Sequence, residues 1–179
     1  MLVRENTVLV VIDVQEKLAA AMYEREAMIQ GNVKMVTGAG ILGIPVVWTE
    51  QNPRGLGPTV PPVKELLQCS EPITKLSFSC CGEEPFMKAF QALGRKQVLI
   101  TGIECHVCVY QTVADLVSMG YEVQVVADAV SSRTPENKAI GLERCKQAGG
   151  SITSAETALF ELLKKAEGDA FKQMLKVVK

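Results

Sequence analysis

The stretch Gln97-Val98-Leu99-Ile100-Thr101-Gly102-Ile103-Glu104-Cys105-His106-Val107-Cys108-Val109 decides the fold. Residues 97–101 are a short apolar run bounded by a glycine, which reads as a strand buried on both faces. Gly102 supplies the turn, and a helical pattern then runs from His106 to Met119, stopped by Gly120. A strand that hands over directly to a helix is half of a βαβ unit.

The same alternation continues outward in both directions. Thr7 to Asp13 reads as a buried strand, residues 28–42 as a helix, and Pro45 to Glu50 as the second strand. Gln51 to Pro62 is rich in glycine and proline and reads as a loop. Residues 73–76 form a short third strand, and residues 84–93 a helix ending at Gly94. Downstream, Tyr121 to Ala127 is the fifth strand and residues 135–148 a helix with Pro135 in its first turn. Ser151 to Thr153 is the sixth strand, and Glu156 to Lys164 the last core helix. Unbroken apolar strands between helices indicate an α/β chain with three layers, a parallel sheet covered on both faces. The chain reads as one domain over residues 1–179, with a helical tail at 166–179. In that tail Phe171, Met174, Leu175 and Val178 recur at one helical face. This face can pack on its own domain or on a second subunit, and a subunit contact of a homo-oligomer is the expectation.

Composition narrows the function classes. The 179 residues are 47% hydrophobic and 22% charged, ordinary for a globular protein. The 19 basic and 20 acidic residues leave a net charge of −1, which gives no electrostatic case for nucleic acid or an anionic membrane. No apolar run reaches a membrane span, and the N-terminus lacks a signal-peptide layout, so a cytoplasmic location is expected. Six cysteines at 69, 80, 81, 105, 108 and 145 read as reduced thiols. The single histidine, His106, cannot build a His-rich metal site.

In parallel sheets ligands bind beyond the carboxyl ends of the strands. That rim collects Asp13 after the first strand, Glu50 and Gln51 after the second, and the segment before Cys108 after the fourth. Asp13 ends a buried strand, where it serves either as a helix N-cap or as a general base. Lys75 sits among apolar neighbours, as a strand-end surface lysine or as a charge partner. Cys108 is either a small buried hydrophobe or a nucleophile. A helix N-terminus favours a thiolate there, and backbone N–H groups between Glu104 and Cys108 can hold an oxyanion. Together the three residues make a coherent site: Asp13 takes the thiol proton, Lys75 holds Asp13, and Cys108 attacks a carbonyl. Gln15, Trp48, Gln51, Phe78 and Tyr110 are candidate substrate contacts, although Trp48 could equally pack in the core. Arg133 reads as an ion-pair partner.

With these pieces in place the chain resembles the isochorismatase-like cysteine hydrolases. The matching segments are Val11-Ile12-Asp13-Val14-Gln15, Lys75 before Ser77-Phe78, and Gly102-Ile103-Glu104 through Cys108-Val109. The run from Gly120-Tyr121-Glu122-Val123 through Asp128 to Arg133 also matches. The resemblance implies a Rossmann-like, six-stranded parallel sheet in the order 3-2-1-4-5-6. It implies an Asp-Lys-Cys triad on Asp13, Lys75 and Cys108, and a non-proline cis peptide at Ile103-Glu104. Nicotinamidases in this superfamily carry an Asp/His metal cluster after the second strand. Here residues 49–58 contain no histidine, so neither a metal nor any other cofactor is expected, and nicotinamide is not the expected substrate. Members that cleave the isochorismate vinyl ether need no thiol, so Cys108 points to amide or N-carbamoyl C–N hydrolysis through a thioester. The segment from Trp48 to Gly57 resembles a small-protein branch whose substrates are mostly unassigned.

Three other readings compete. Cys105 and Cys108 form a C-x-x-C that could act in redox chemistry. Cys105, Cys108 and the Cys80-Cys81 pair could hold zinc. The fold could also serve as an oligomeric scaffold with a vestigial triad.

Overall fold

The computed structural model describes residues 1–68 and 70–179; Cys69, one of the six thiols, lies outside the described residues. The strands are β1 (Thr7–Ile12), β2 (Val46–Gln51), β3 (Ile73–Lys75), β4 (Gln97–Ile103), β5 (Glu122–Ser131) and β6 (Ser151–Thr153). They form one sheet in the order β3-β2-β1-β4-β5-β6, and every pairing is parallel. The helices are α1 (Glu16–Ala19), α2 (Arg25–Leu42), α3 (Pro53–Leu56), α4 (Pro61–Lys64), α5 (Glu84–Ala92), α6 (Tyr110–Ser118), α7 (Pro135–Gln147), α8 (Ala155–Leu163) and α9 (Gly168–Val178).

The expected α/β architecture and strand order are therefore those of the chain. All six residues of β1 are buried, because the strand is covered on both faces. Leu9 and Val11 pack into a core shared with α2, α8 and α9, while Val8, Val10 and Ile12 pack into a second core with α5, α6 and α7. No helix among the described residues is long and apolar enough to cross a membrane.

Three differences from the sequence reading have physical causes. The stretch read as a loop at residues 51–62 carries two single-turn helices, α3 and α4, each opened by a proline at its first position. Proline is pre-set for that position. The helix expected from His106 instead begins with a π turn, Cys105–Val109, before α6. Its wider ring has no signature in apolar periodicity. Lastly, part of the apolar face of the C-terminal helix, read as packing on its own domain or at a subunit contact, packs within the chain. Met174 is fully buried, Val177 and Val178 pack on the same core, and Lys34 Nζ donates to Val178 O at 3.2 Å.

The end of β4 is where the fold begins to build a site. Gly102 has φ +113°, and a Cβ there would lie 2.0 Å from the Ile12 carbonyl oxygen of β1. Only glycine lets the two strand ends approach this closely. Gly102→Ala is expected to cost about 2 kcal/mol or more, read from the urea-unfolding midpoint. An unchanged midpoint would show that the strand end yields without cost.

Candidate active site

Asp13 follows β1 with φ +51°, a left-handed turn that ends the strand and turns its side chain inward. The carboxylate is fully buried. Its Oδ1 accepts from Thr49 Oγ1 at 2.7 Å, and its Oδ2 lies 2.7 Å from Lys75 Nζ. Thr49 stands directly opposite Ile12 in the β1–β2 register, so the parallel pairing itself delivers the hydroxyl.

Lys75 ends β3 and is also buried. Its ammonium faces four oxygens: Asp13 Oδ2, Gln51 Oε1 at 2.6 Å, Phe78 O at 3.0 Å and Ser77 O at 3.1 Å. An ammonium has only three hydrogens to give, so the charge is fully engaged inside the protein. Glu83 shapes the loop that offers the two carbonyls. Its Oε1 accepts from Leu76 N, Ser77 N and Ser77 Oγ at 2.8–2.9 Å, and these bonds hold its pKa below the usual carboxylate value.

Cys108 sits in the π turn behind the cis peptide Ile103–Glu104. The Glu104 carbonyl accepts from Val107 N at 3.1 Å and Val109 N at 3.2 Å, passing over the N–H of Cys108 between them. The Glu104 side chain pairs with Arg133 at 2.9 Å, as the sequence reading of Arg133 anticipates. The Cys108 thiol is buried beside Asp13 and Lys75, close enough for both charges to act on it. The structure thus brings Asp13, Lys75 and Cys108 into one buried cluster.

The electrostatics correct one expectation. A helix N-terminus is expected to favour a thiolate. Burial and then the Asp13 charge instead push the Cys108 thiol up to about 12, against the pull of Lys75. At rest the sulfur carries its proton. Burial likewise raises Asp13 above its ordinary value, opposed by Lys75, Thr49 and Cys108. For Lys75, burial acts downward, but Asp13 and the neighbouring thiols more than offset it, so its pKa is raised.

The candidate substrate contacts fare differently. Gln15 is fully buried: its Nε2 donates to Gly57 O at 2.7 Å and Gln51 O at 2.9 Å, and its Oε1 accepts from Gln51 N at 2.7 Å. It clamps the end of β2 and has no group left for a ligand. Trp48 packs in the core on the α2 side of the sheet, its Nε1 donating to Ser70 Oγ at 2.9 Å. Gln51 is turned to Lys75 and to Leu76 O. Tyr110 accepts from Arg144 at 2.6 Å and lies under its guanidinium. Phe78 alone of the five is exposed, next to Leu76, which is 74% exposed. Glu50, also read at the rim, is buried and pins Thr59 through its backbone N–H and hydroxyl.

Sequence reasoning missed Thr49 and Cys80. Cys80 is fully buried, with its sulfur 3.9 Å from Thr49 Oγ1, and burial and the Asp13 charge push it up to about 12. The strand register points to Thr49, but only once the sheet order is in hand. The C-x-x-C also divides. Cys108 lies beside Asp13 and Lys75, whereas Cys105 lies against α7 at Gly141, one turn from Cys145. Among the described residues, no group of three or more His, Cys, Asp or Glu is placed to hold a metal ion.

The isochorismatase domain matches residues 7–157 of this chain. The chain belongs to the isochorismatase family. A secreted isochorismatase effector, Isc1, of Phytophthora sojae is 40% identical over 99% of this chain and 87% of its own length. Isochorismatase domain-containing protein 2 of Danio rerio is 34% identical over 97% of this chain and 87% of its own. Among solved structures, the MAR1 ribonuclease of Caenorhabditis elegans superposes with a TM-score of 0.91 at 37% identity, covering 99% of this chain and 91% of that one. This isochorismatase-family chain is thus a member of the isochorismatase-like hydrolase superfamily.

Proposed function

We propose that the protein hydrolyses a C–N bond of a small neutral amide or N-carbamoyl compound by cysteine nucleophilic catalysis. The observation that carries this reading is the buried cluster in which Asp13 meets Lys75 at 2.7 Å beside the buried Cys108 thiol. Substrate binding puts a carbonyl carbon beside the sulfur. Asp13 takes the thiol proton as sulfur attacks, and Lys75 keeps the carboxylate in place. Backbone N–H groups of the Glu104–Cys108 segment, with Ile103–Glu104 orienting it, hold the oxyanion. The C–N bond breaks as Asp13 passes its proton to the leaving nitrogen. Water, deprotonated by Asp13, then cleaves the thioester and frees Cys108. Every step uses the side chains of the cluster, the backbone N–H groups of the turn, and water.

A neutral substrate is favoured because the polar side chains read as rim contacts already have partners. Lys75 is enclosed by oxygens, Arg133 is paired with Glu104, and Gln15 and Gln51 are engaged. What the lip leaves open is apolar, Leu76 and Phe78. The reading keeps the protein a cytoplasmic homo-oligomer whose partner is this small molecule.

The test is an ammonia-release screen over neutral amides, their carboxylate-bearing analogues and N-carbamoyl compounds, with Cys108→Ala as control. Turnover of neutral compounds that disappears in Cys108→Ala is expected. The C. elegans neighbour bears the name ribonuclease, so RNA is included. Cleavage of RNA with no turnover of any small amide would replace this reading.

A further inference from the structure

Cys105 is the cysteine of the Cys105-His106-Val107-Cys108 run that the proposed chemistry leaves unused. It is fully buried, and it meets α7. Gly141 and Cys145 stand one turn apart on that helix. A Cβ added at Gly141 would lie 2.7 Å from the Cys105 carbonyl carbon and 2.8 Å from its sulfur. Only glycine lets the helix press this closely on the nucleophile turn. The neighbouring Cys145, equally buried in the same core, stands one turn along the helix face that meets the Cys105 sulfur.

This face of α7 also borders open space. Lys138, Gly141, Leu142 and Cys145 recur at i, i+3, i+4 and i+7, which is a single helical face. Lys138 and Leu142 line a cavity of about 330 Å³ together with Met28 and Asp128. The cavity touches this helix face at Lys138 and Leu142, and neither thiol lines it.

We propose that Cys105 and Cys145 form a site of oxidative cross-linking, at which a peroxide joins the nucleophile turn to α7 and leaves Cys108 reduced. Cys145 reacts first. Its thiolate sulfur attacks one peroxide oxygen, the O–O bond breaks, and the departing hydroxide leaves as water, giving a sulfenic acid. The Cys105 sulfur attacks that sulfur, the S–O bond breaks, and the Cys105 proton leaves with the hydroxide as a second water. Two thiols lose two electrons and two protons, and the peroxide is reduced to two waters.

The ranking of the thiols supports this order. The neighbouring Cys105 thiol holds Cys145 below its ordinary value, whereas burial pushes Cys81 up to about 11 and Cys80 and Cys108 up to about 12. The thiolate is the form that peroxide oxidises. Cys108 is held on the Asp13–Lys75 side of the turn, so it does not compete for Cys105. The inference stands on the thiol pair alone and needs no turnover.

The test treats the whole protein with limiting hydrogen peroxide, unfolds it in iodoacetamide, and maps the peptides by fragmentation mass spectrometry. The expected product links Cys105 to Cys145 with the loss of two hydrogens, carries alkylated Cys108, and reverts in dithiothreitol. Cys145→Ala is expected to lose the link and to return Cys105 as a free thiol. A Cys105–Cys108 link, oxidation of Cys108 ahead of Cys145, or recovery of Cys105 and Cys145 as free thiols overturns the proposal. The wild-type map decides the matter even if the variant does not fold.

Discussion

Replacing Asp13 with Asn is expected to abolish turnover while making Cys108 more reactive toward iodoacetamide. The two effects have opposite sign because Asp13 has two roles toward the same sulfur. As a base it accepts the thiol proton during attack, and losing a positioned base typically lowers rates ~10²–10⁴-fold. As a resident negative charge it is the second largest reason, after burial, that the thiol stands near 12. Asn keeps the shape and can still accept from Thr49 but carries no charge. Lys75 keeps three oxygen partners in Gln51, Ser77 and Phe78, so its ammonium now acts on Cys108 unopposed. Each unit by which the thiol falls raises the thiolate fraction at neutral pH about tenfold, so alkylation should quicken by roughly tenfold or more. The measurement is the iodoacetamide rate of Cys108 against pH, in wild type and variant, alongside hydrolysis of whichever amide the screen yields. If alkylation and turnover fall together, Asp13 activates the resting thiol, and the protonated ground state is wrong. The wild-type activity profile should also lose its acid limb above the ordinary carboxylate range, because burial raises Asp13.

The sheet was legible because a strand buried on both faces must be largely apolar, and β1 and β4 are so apart from Thr7, Gln97 and Thr101. The three residues brought into one cluster were legible for a related reason. Asp13, Lys75 and the turn before Cys108 each follow or end a strand, and parallel strands deliver their carboxyl ends to a common rim. What was not legible depends on distances between strands or on solvent exclusion. The resting state of Cys108 follows from its burial and from the charge beside it, and neither is written in the helix-start pattern. Gln15 looks like a ligand contact in the sequence, and only the fold shows its amide answering both backbone groups of Gln51. The π turn escaped notice because its i→i+5 bond from Val109 to Glu104 leaves no trace in apolar spacing. The approach of Cys105 to the α7 face that carries Cys145 was hidden by 39 residues of intervening chain.

Lys75→Met carries the largest expected cost in stability, about 3–5 kcal/mol at neutral pH, because it strands a buried carboxylate. Lys75 and Asp13 both have side chains with no solvent exposure, so water cannot take over from the missing ammonium. The loss should depend on pH, with a definite sign. Asp13 is raised in the folded protein, and removing Lys75 takes away the main influence holding it back, so it rises further. A carboxyl raised on folding favours the folded state below its unfolded pKa, near ~3.9, and loses that contribution as pH climbs through the folded value. The deficit of Lys75→Met is therefore largest at neutral pH and shrinks as acid protonates Asp13. It does not vanish, because Ser77 O and Phe78 O also lose their donor. Adding Asp13→Asn removes the stranded charge, so the double variant should be more stable at pH 7 than Lys75→Met alone, a non-additive result for two residues in contact. Urea unfolding of the two single variants and the double variant at about pH 7 and about pH 5 reads all of this. A deficit that is equal at both pH values, with additive costs in the double variant, would mean that Asp13 and Lys75 fold as a neutral pair. A neutral Asp13 already holds its proton, so it could not serve as the base that opens the reaction at Cys108.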